Sequence, residues 1–201
     1  DKLLPAPGKV TKTTHFQALP YAQLPVFMEQ LVCQEGMGAK ALLFLILTAA
    51  RSGEVRGATW EEIDLAARVW TIPADRMKAS KAHRVPLSDA AIALLQEMKA
   101  LTLAAGRASG KAYVFPSPNS RDPELGSALS DMTLTAVLRR LKLEAVPHGF
   151  RSTFRDWCAE QTDYPNEVAE MALAHTVGNK VEAAYRRGDL LAKRQQLMQD
   201  W

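Results

Sequence analysis

The sequence is poor in the residues that build disulfide frameworks and metal centres. Its two cysteines, Cys33 and Cys158, lie far apart and form no CxxC motif, so neither a disulfide framework nor a zinc site is predicted. A reduced, cytoplasmic environment is therefore expected. Long hydrophobic runs are also missing, because the longest, 41–50, is too short to span a bilayer and predicts a buried helix. We expect no membrane partner.

The remaining composition is that of an ordinary soluble protein. The 201 residues are 47% hydrophobic and 23% charged, enough for one domain, or one large and one small, with a sizeable core. A net charge of +3 permits a polyanionic partner without requiring one. Residues 1–20 are rich in proline, lysine and threonine and lack any periodic pattern. We interpret them as a linker, followed by a folded domain at 21–201.

The hydrophobic pattern of the folded domain is mostly helical. Two short runs rich in branched and aromatic residues, 68–73 and 83–87, flank the polar stretch ADRMKASKA and predict a β-hairpin. The predicted class is mainly α with a small antiparallel sheet (α+β). Capping residues, breaks and apolar stripes predict helices at 24–34, 39–50, from Ser88 to Gly106, 130–141, from His148, and from Pro165 to near His175.

An arginine stands directly after the most apolar of these helices, in AARSGEVRGATWEEID. A guanidinium at the edge of a core is costly unless it is paired. Glu54, three residues after Arg51, is placed to hold it in orientation. A purely structural Arg–Glu pair is an equally good interpretation of this motif.

Further cationic side chains follow along the chain. In VPHGFRSTFRDW, His148 and Arg151 are spaced to share one helix face, where two donors suit an anionic oxygen. A surface His–Arg pair is the alternative. Lys78 and Lys81 lie in the hairpin, where lysines are usually solvated charges, and a lone His175 near a helix end is usually structural.

The stretch LAHTVGNKVEAAYRRGD places a tyrosine after that histidine. Tyr185 falls on one face of an amphipathic pattern with Val177 and Val181, so packing alone would explain it. Taken in order, however, the set resembles the active-site series of the tyrosine recombinases, the phage integrase family. The matching residues are Arg51, Lys78, His148, Arg151, His175 and Tyr185.

The flanking sequences strengthen this resemblance. RGATWEEID, HGFRSTFRDW and AYRRGDLLAKRQQLMQDW resemble the integrases of prophages and genomic islands, and the similarity covers about residues 20–201. The resemblance implies the catalytic-domain fold of that family. It also implies upstream domains that bind arm-type and core-type DNA sites, with residues 1–20 as the connector to them, and a chain that continues past Trp201.

The resemblance assigns a role to each matching residue. Tyr185 is the nucleophile that attacks a DNA phosphodiester and becomes joined to the 3′ phosphate. Arg51 and Arg151 neutralise the non-bridging oxygens, His175 donates a hydrogen bond to the phosphate, and Lys78 protonates the leaving 5′ oxygen. His148 assists proton transfer at the tyrosine, and Glu54 orients Arg51. No cofactor, metal or ATP is expected.

The implied function is integration or excision of a prophage or genomic island by site-specific recombination. The expected partners are double-stranded attachment-site DNA, a homotetramer on paired sites that is a monomer without DNA, and DNA-bending or directionality proteins. Type IB topoisomerase-like relaxation is one alternative, and a non-catalytic DNA-binding regulator is another. Within the hairpin, we expect Lys78 to end the first strand, held by strand pairing, and Lys81 to lie nearer the turn.

Overall fold

Helices and one small sheet form the described part of the chain, residues 16–175 and 188–201 of a computed structural model. The predicted class, mainly α with a small antiparallel sheet, is confirmed. None of the described helices has the length and apolar character needed to cross a membrane. The helices are α1 (Leu24–Val32), α2 (Met37–Thr48), α3 (Ser52–Arg56), α4 (Asp89–Ala104), α5 (Thr133–Arg140), α6 (Gly149–Gln161), α7 (Asn166–Ala172) and α8 (Leu191–Asp200).

Local chemistry explains where the helices begin and end. Proline in the first turn of α1 needs no hydrogen-bond partner for its nitrogen, and the Ser88 hydroxyl accepts a hydrogen bond from the Ala91 N–H at the start of α4. α2 is mostly apolar, with Lys40 as its one charged residue, and none of its residues is exposed. It ends at Ala49, whose φ of 49° is left-handed. α5 begins at Thr133, two residues later than a cap at Ser130 predicts, and the Thr133 N–H bonds the Ser130 carbonyl in a preceding turn.

The sheet has three antiparallel strands in the order β1 (Ile63–Asp64), β2 (Val69–Ile72) and β3 (His83–Pro86). Trp70 pairs with Val85 and Ile72 pairs with His83. The hairpin of β2 and β3 was predicted, whereas the two-residue strand β1 was not.

The prediction that Lys78 ends a strand is wrong. β2 ends at Ile72 because Pro73 has no N–H to donate to the ladder, and the chain then forms a 3₁₀ turn at Ala74–Arg76. Lys78 and Lys81 both lie in the exposed connection before β3.

The described residues form two hydrophobic clusters. The larger surrounds α2 and the sheet, where the Phe44 ring lies 5.3 Å from Trp70 and 5.4 Å from Phe115. The smaller lies between α6, α7 and α8. Trp201, directly after α8, stacks edge-on against Phe154 at 5.3 Å and donates its indole N–H to the Ile46 carbonyl at 2.8 Å. α8 therefore packs against its own chain.

The segment just before α1 also packs against the domain. Leu19 is buried in the larger cluster, the Gln17 carbonyl accepts from the Val146 N–H at 3.1 Å, and the Thr153 hydroxyl donates to the Leu19 carbonyl at 2.6 Å. A Cβ at Gly149 would lie 2.1 Å from the Gln17 oxygen, so only glycine fits at the start of α6. The packed structure thus includes residues ahead of position 21.

Candidate active site

Arg51 precedes α3 and is held there by Glu54. The Glu54 carboxylate accepts from the Arg51 backbone N–H at 2.8 Å and from the guanidinium Nη1 at 2.7 Å. Glu54 is buried, while Arg51 remains partly exposed. The predicted contact between the two residues is present, and it caps the first turn of α3 while aiming the guanidinium out of the core.

Arg151 is buried between the ends of two helices. Its Nη1 donates to the Ala49 carbonyl after α2 at 2.6 Å, and its Nη2 donates to the Leu173 carbonyl after α7. Carbonyls at helix C-termini lack intrahelical partners and carry partial negative charge, so they are suited to hold a cation. Burial and the nearby charge of Arg51 lower the pKa of Arg151 to about 10, which leaves it protonated at neutral pH.

His175 joins Arg151 to an acidic residue. Its Nε2 lies 3.1 Å from the Arg151 Nη2, and its Nδ1 lies 2.8 Å from the Glu170 carboxylate. In the neutral ring, Nδ1–H donates to Glu170 and Nε2 accepts from Arg151. Arg155 holds the other oxygen of Glu170 at 2.6 Å. Burial raises the pKa of the Glu170 carboxyl, but hydrogen bonds from Arg155 and His175 outweigh it and lower that pKa.

His148 lies directly before α6, with its ring edge-on to Phe16 at 4.6 Å. Burial lowers the pKa of His148, and the charges of Arg151, Arg51 and His175 lower it further. A histidine with a lowered pKa is neutral near pH 7 and keeps a ring nitrogen that can accept a proton.

His83 was not predicted as a site residue. It is partly buried at the start of β3, and its Nε2–H donates to the Ala172 carbonyl at 3.3 Å. Burial, followed by the charge of Arg194, lowers its pKa to about 4, and Arg151 and Glu54 also act on it. Neither His83 nor Glu170 had a spacing that marked it in the sequence.

Lys78 is exposed in the β2–β3 connection and makes no hydrogen bond or ion pair with residues 16–175 or 188–201. Its proposed role remains a prediction. Tyr185, the predicted nucleophile, and the helical pattern at 177–185 lie outside the described residues.

The chain directly after this segment is bonded to β3. The Asp189 carboxylate accepts from the Arg84 guanidinium at 2.8 and 2.9 Å. Arg194 is 1% exposed; it donates to the Asp189 carbonyl at 2.7 Å and to the Arg84 carbonyl at 2.6 Å. The structure therefore holds the chain at a point four residues beyond Tyr185.

The structure thus brings five of the predicted residues together: Arg51, Glu54, His148, Arg151 and His175. Two guanidinium groups and two imidazoles in one place form a site for an anion with several oxygens, such as a phosphodiester. Within the described residues, no group of three or more His, Cys, Asp or Glu side chains is arranged to hold a metal ion.

The model of the Phage integrase family matches residues 21–190. The chain belongs to the phage integrase family. As a phage integrase family member, it is 37% identical over 183 residues to the prophage integrase IntA of Escherichia coli (strain K12), an alignment that covers 89% of this chain and 42% of that protein. It spans about half the length of the curated relatives that it matches, from 42% to 52%.

Solved integrases share the fold of this family member. The integrase from mycobacterium phage Brujita superposes with a TM-score of 0.66 at 15% identity, covering 94% of this chain and 59% of that one. The integrase of transposon Tn1549, solved in complex with transposon right end DNA, superposes with a TM-score of 0.59 at 15% identity, covering 94% and 67%. At these identities the likeness shows the fold alone.

Proposed function

We propose that this phage integrase family member recombines DNA at specific sites through a covalent 3′-phosphotyrosine intermediate. The observation that carries the proposal is the meeting of Arg51, Arg151, His148 and His175, from separate parts of the chain, in one cationic site. A phosphodiester in transfer gains negative charge on its non-bridging oxygens. Preorganised cations stabilise that charge without reorganising.

In the proposed cleavage step the Tyr185 oxygen attacks the phosphorus and the bond from phosphorus to the 5′ oxygen breaks. The tyrosine gives up its proton to neutral His148, and Lys78 gives a proton to the departing oxygen. The products are a 3′-phosphotyrosine and a free 5′ hydroxyl, so atoms and charge balance without water or a nucleotide. A 5′ hydroxyl from a partner strand then attacks the phosphotyrosine and releases Tyr185.

The arginines have different roles in this scheme. Arg151 is fixed by two carbonyls, so its position is set before DNA arrives. Arg51 is more exposed and turns its remaining donors to the phosphate while Glu54 holds it. The proposed role of His175, a hydrogen bond donated to a phosphate oxygen, is supported by its position beside Arg151, with the Glu170 carboxylate holding its Nδ1.

The proposed substrate is double-stranded attachment-site DNA, bound by four copies of the protein on two paired sites. The Tn1549 integrase was solved with transposon DNA, and the cationic site described above suits a phosphate backbone. Binding should therefore weaken steeply as salt rises, because each neutralised phosphate releases counterions.

A nicked suicide substrate carrying the attachment-site core tests the proposal, because loss of the short strand traps the covalent adduct. Wild-type protein should form a protein–DNA adduct in excess EDTA, and Tyr185→Phe should bind the DNA but form none. Tyr164→Phe is the matched control, since Tyr164 bonds Asp200 away from the cationic site.

Each other outcome counts against a defined part of the scheme. An adduct from Tyr185→Phe would mean that another residue is the nucleophile. Dependence on added magnesium would contradict cleavage by side chains alone. No adduct from wild type would favour a DNA-binding regulator, and relaxation of supercoils without strand exchange would favour a topoisomerase.

A further inference from the structure

Arg76, a residue that the proposed mechanism does not use, forms a bridge between two parts of the domain. Its Nη1 pairs with the Glu62 carboxylate, and its Nη2 donates to the Glu54 backbone carbonyl. The Glu62 side chain is 7% exposed and that of Arg76 23%. The second oxygen of Glu62 accepts from the buried Trp70 indole N–H at 2.9 Å. Every partner of Arg76 is therefore itself held in place.

The structure leaves room for this bridge at Gly57. A Cβ at this position would lie 2.8 Å from the Arg76 Nη2 and 3.3 Å from its Cζ. Gly57 has a φ of −96°, which any residue adopts, so a larger residue here would be opposed chiefly by the end of the Arg76 side chain, which it would have to displace.

The bridge connects two groups of the proposed active site. Glu54, whose carbonyl Arg76 binds, is also the residue whose carboxylate holds Arg51. Lys78 follows Arg76 by two residues, so their Cα atoms lie within about 7 Å of each other. Between them, Met77 is buried in the larger hydrophobic cluster. The backbone before Lys78 is thus attached to the helix that presents Arg51.

We propose that Arg76 is a positioning residue that places Lys78 for protonation of the leaving 5′ oxygen. The inference rests on the proposed function, in which Lys78 is the general acid. Lys78 has no partner among the described residues, so the path of its backbone decides where its ammonium reaches. Proton transfer requires hydrogen-bond reach in the transition state, and a displacement of about 1 Å is enough to cost a large part of the rate.

Sulfur at the bridging 5′ position separates positioning of the acid from general stability. A thiolate leaves without a proton, whereas an alkoxide requires one, so only the oxygen substrate reports on the acid. Arg76→Lys keeps the charge but removes the planar guanidinium, whose two separate nitrogens bond Glu62 and the Glu54 carbonyl. Gly57→Ala displaces Arg76 without altering it. Lys78→Ala shows the effect of losing the acid itself. The control is Arg68→Met, because Arg68 lies directly before β2 and the change removes its ion pair with Asp89.

Single-turnover cleavage rates of the full chain on both substrates should separate the variants that misplace the acid from the control. Arg76→Lys and Gly57→Ala should slow oxygen-substrate cleavage about tenfold or more, toward the roughly 10²–10⁴-fold contribution of a positioned acid, with less than about threefold loss on the sulfur substrate. DNA binding and melting temperature are measured alongside. Arg68→Met should change the cleavage rate by the same factor on both substrates.

Two outcomes would overturn the inference, and they are distinguishable. In the first outcome, sulfur restores cleavage by Lys78→Ala, but Arg76→Lys and Gly57→Ala either lose the same fraction of their cleavage rate on both substrates or lose none on either. Arg76 is then only structural, while the proposed function stands. If sulfur fails to rescue Lys78→Ala, Lys78 is not the acid. In that case its role in the proposed function falls together with this inference, while adduct formation by Tyr185 is judged separately.

Discussion

Protonation of His83 should destabilise the folded domain well before the carboxylates are protonated. Its pKa is about 4 in the fold, against 6.5 for an ordinary histidine. Between these values the unfolded chain binds a proton that the folded chain does not. The stabilising contribution of neutral His83 is therefore complete above about pH 6.5 and is lost as the pH falls toward 4.

The size of the effect follows from the shift. A difference of one pKa unit corresponds to about 1.4 kcal/mol, so the whole window is worth about 3 kcal/mol of unfolding free energy. About 2 kcal/mol of this should be lost between about pH 7 and about pH 5. The cause is structural: burial disfavours the charged ring, and Arg194 and Arg151 add repulsion that Glu54 only partly offsets.

Urea unfolding across this pH range, on wild type and His83→Gln, measures the effect. Glutamine keeps an amide N–H for the Ala172 carbonyl but does not titrate. The unfolding free energy of wild type minus that of the variant should fall by about 2 kcal/mol from about pH 7 to about pH 5, because only wild type carries the titrating ring. Parallel profiles for the two proteins would refute the reasoning, because every other titrating group is common to both.

Three further predictions address packing, the Arg51 pair and assembly. Gly149→Ala should lower the unfolding free energy by roughly 1–3 kcal/mol in urea, because its Cβ meets Gln17, whereas Gly53→Ala, with nothing within 4 Å, should not. Glu54→Gln should slow single-turnover cleavage more than it weakens DNA binding, because Arg51 loses its charged partner; equal losses would contradict this. Light scattering should find a monomer at moderate concentration without DNA, and a stable tetramer would count against it.

Local sequence signals predicted most of the helical fold. The apolar pattern of α2 and the cap at Ser88 depend on neighbours in the chain, which the sequence displays directly. The error at Lys78 arose because strand pairing was extended past Pro73, although proline itself marks where the ladder stops. β1 was not predicted because a strand of two residues is too short to show an alternating hydrophobic pattern.

The site was less accessible to sequence reasoning, because its contacts are not local. Arg51 and Glu54 are three residues apart and were paired correctly. The carbonyls that hold Arg151, at Ala49 and Leu173, are 102 and 22 residues away. No pattern reports such partners, and the burial of Arg151 depends on them. The roles of all these residues in catalysis stay predictions.

The packing of residues 17–19 on the start of α6 has a mechanical consequence. The Gln17 carbonyl is bonded to the turn before α6, the Leu19 carbonyl is bonded to the second turn of α6, and Phe16 lies against His148. The chain that arrives from residues 1–15 thus meets the domain at the helix that carries Arg151. We expect tension or rotation applied to the chain ahead of Phe16 to act first on the start of α6, beside His148 and Arg151, because residues 16–19 are bonded there.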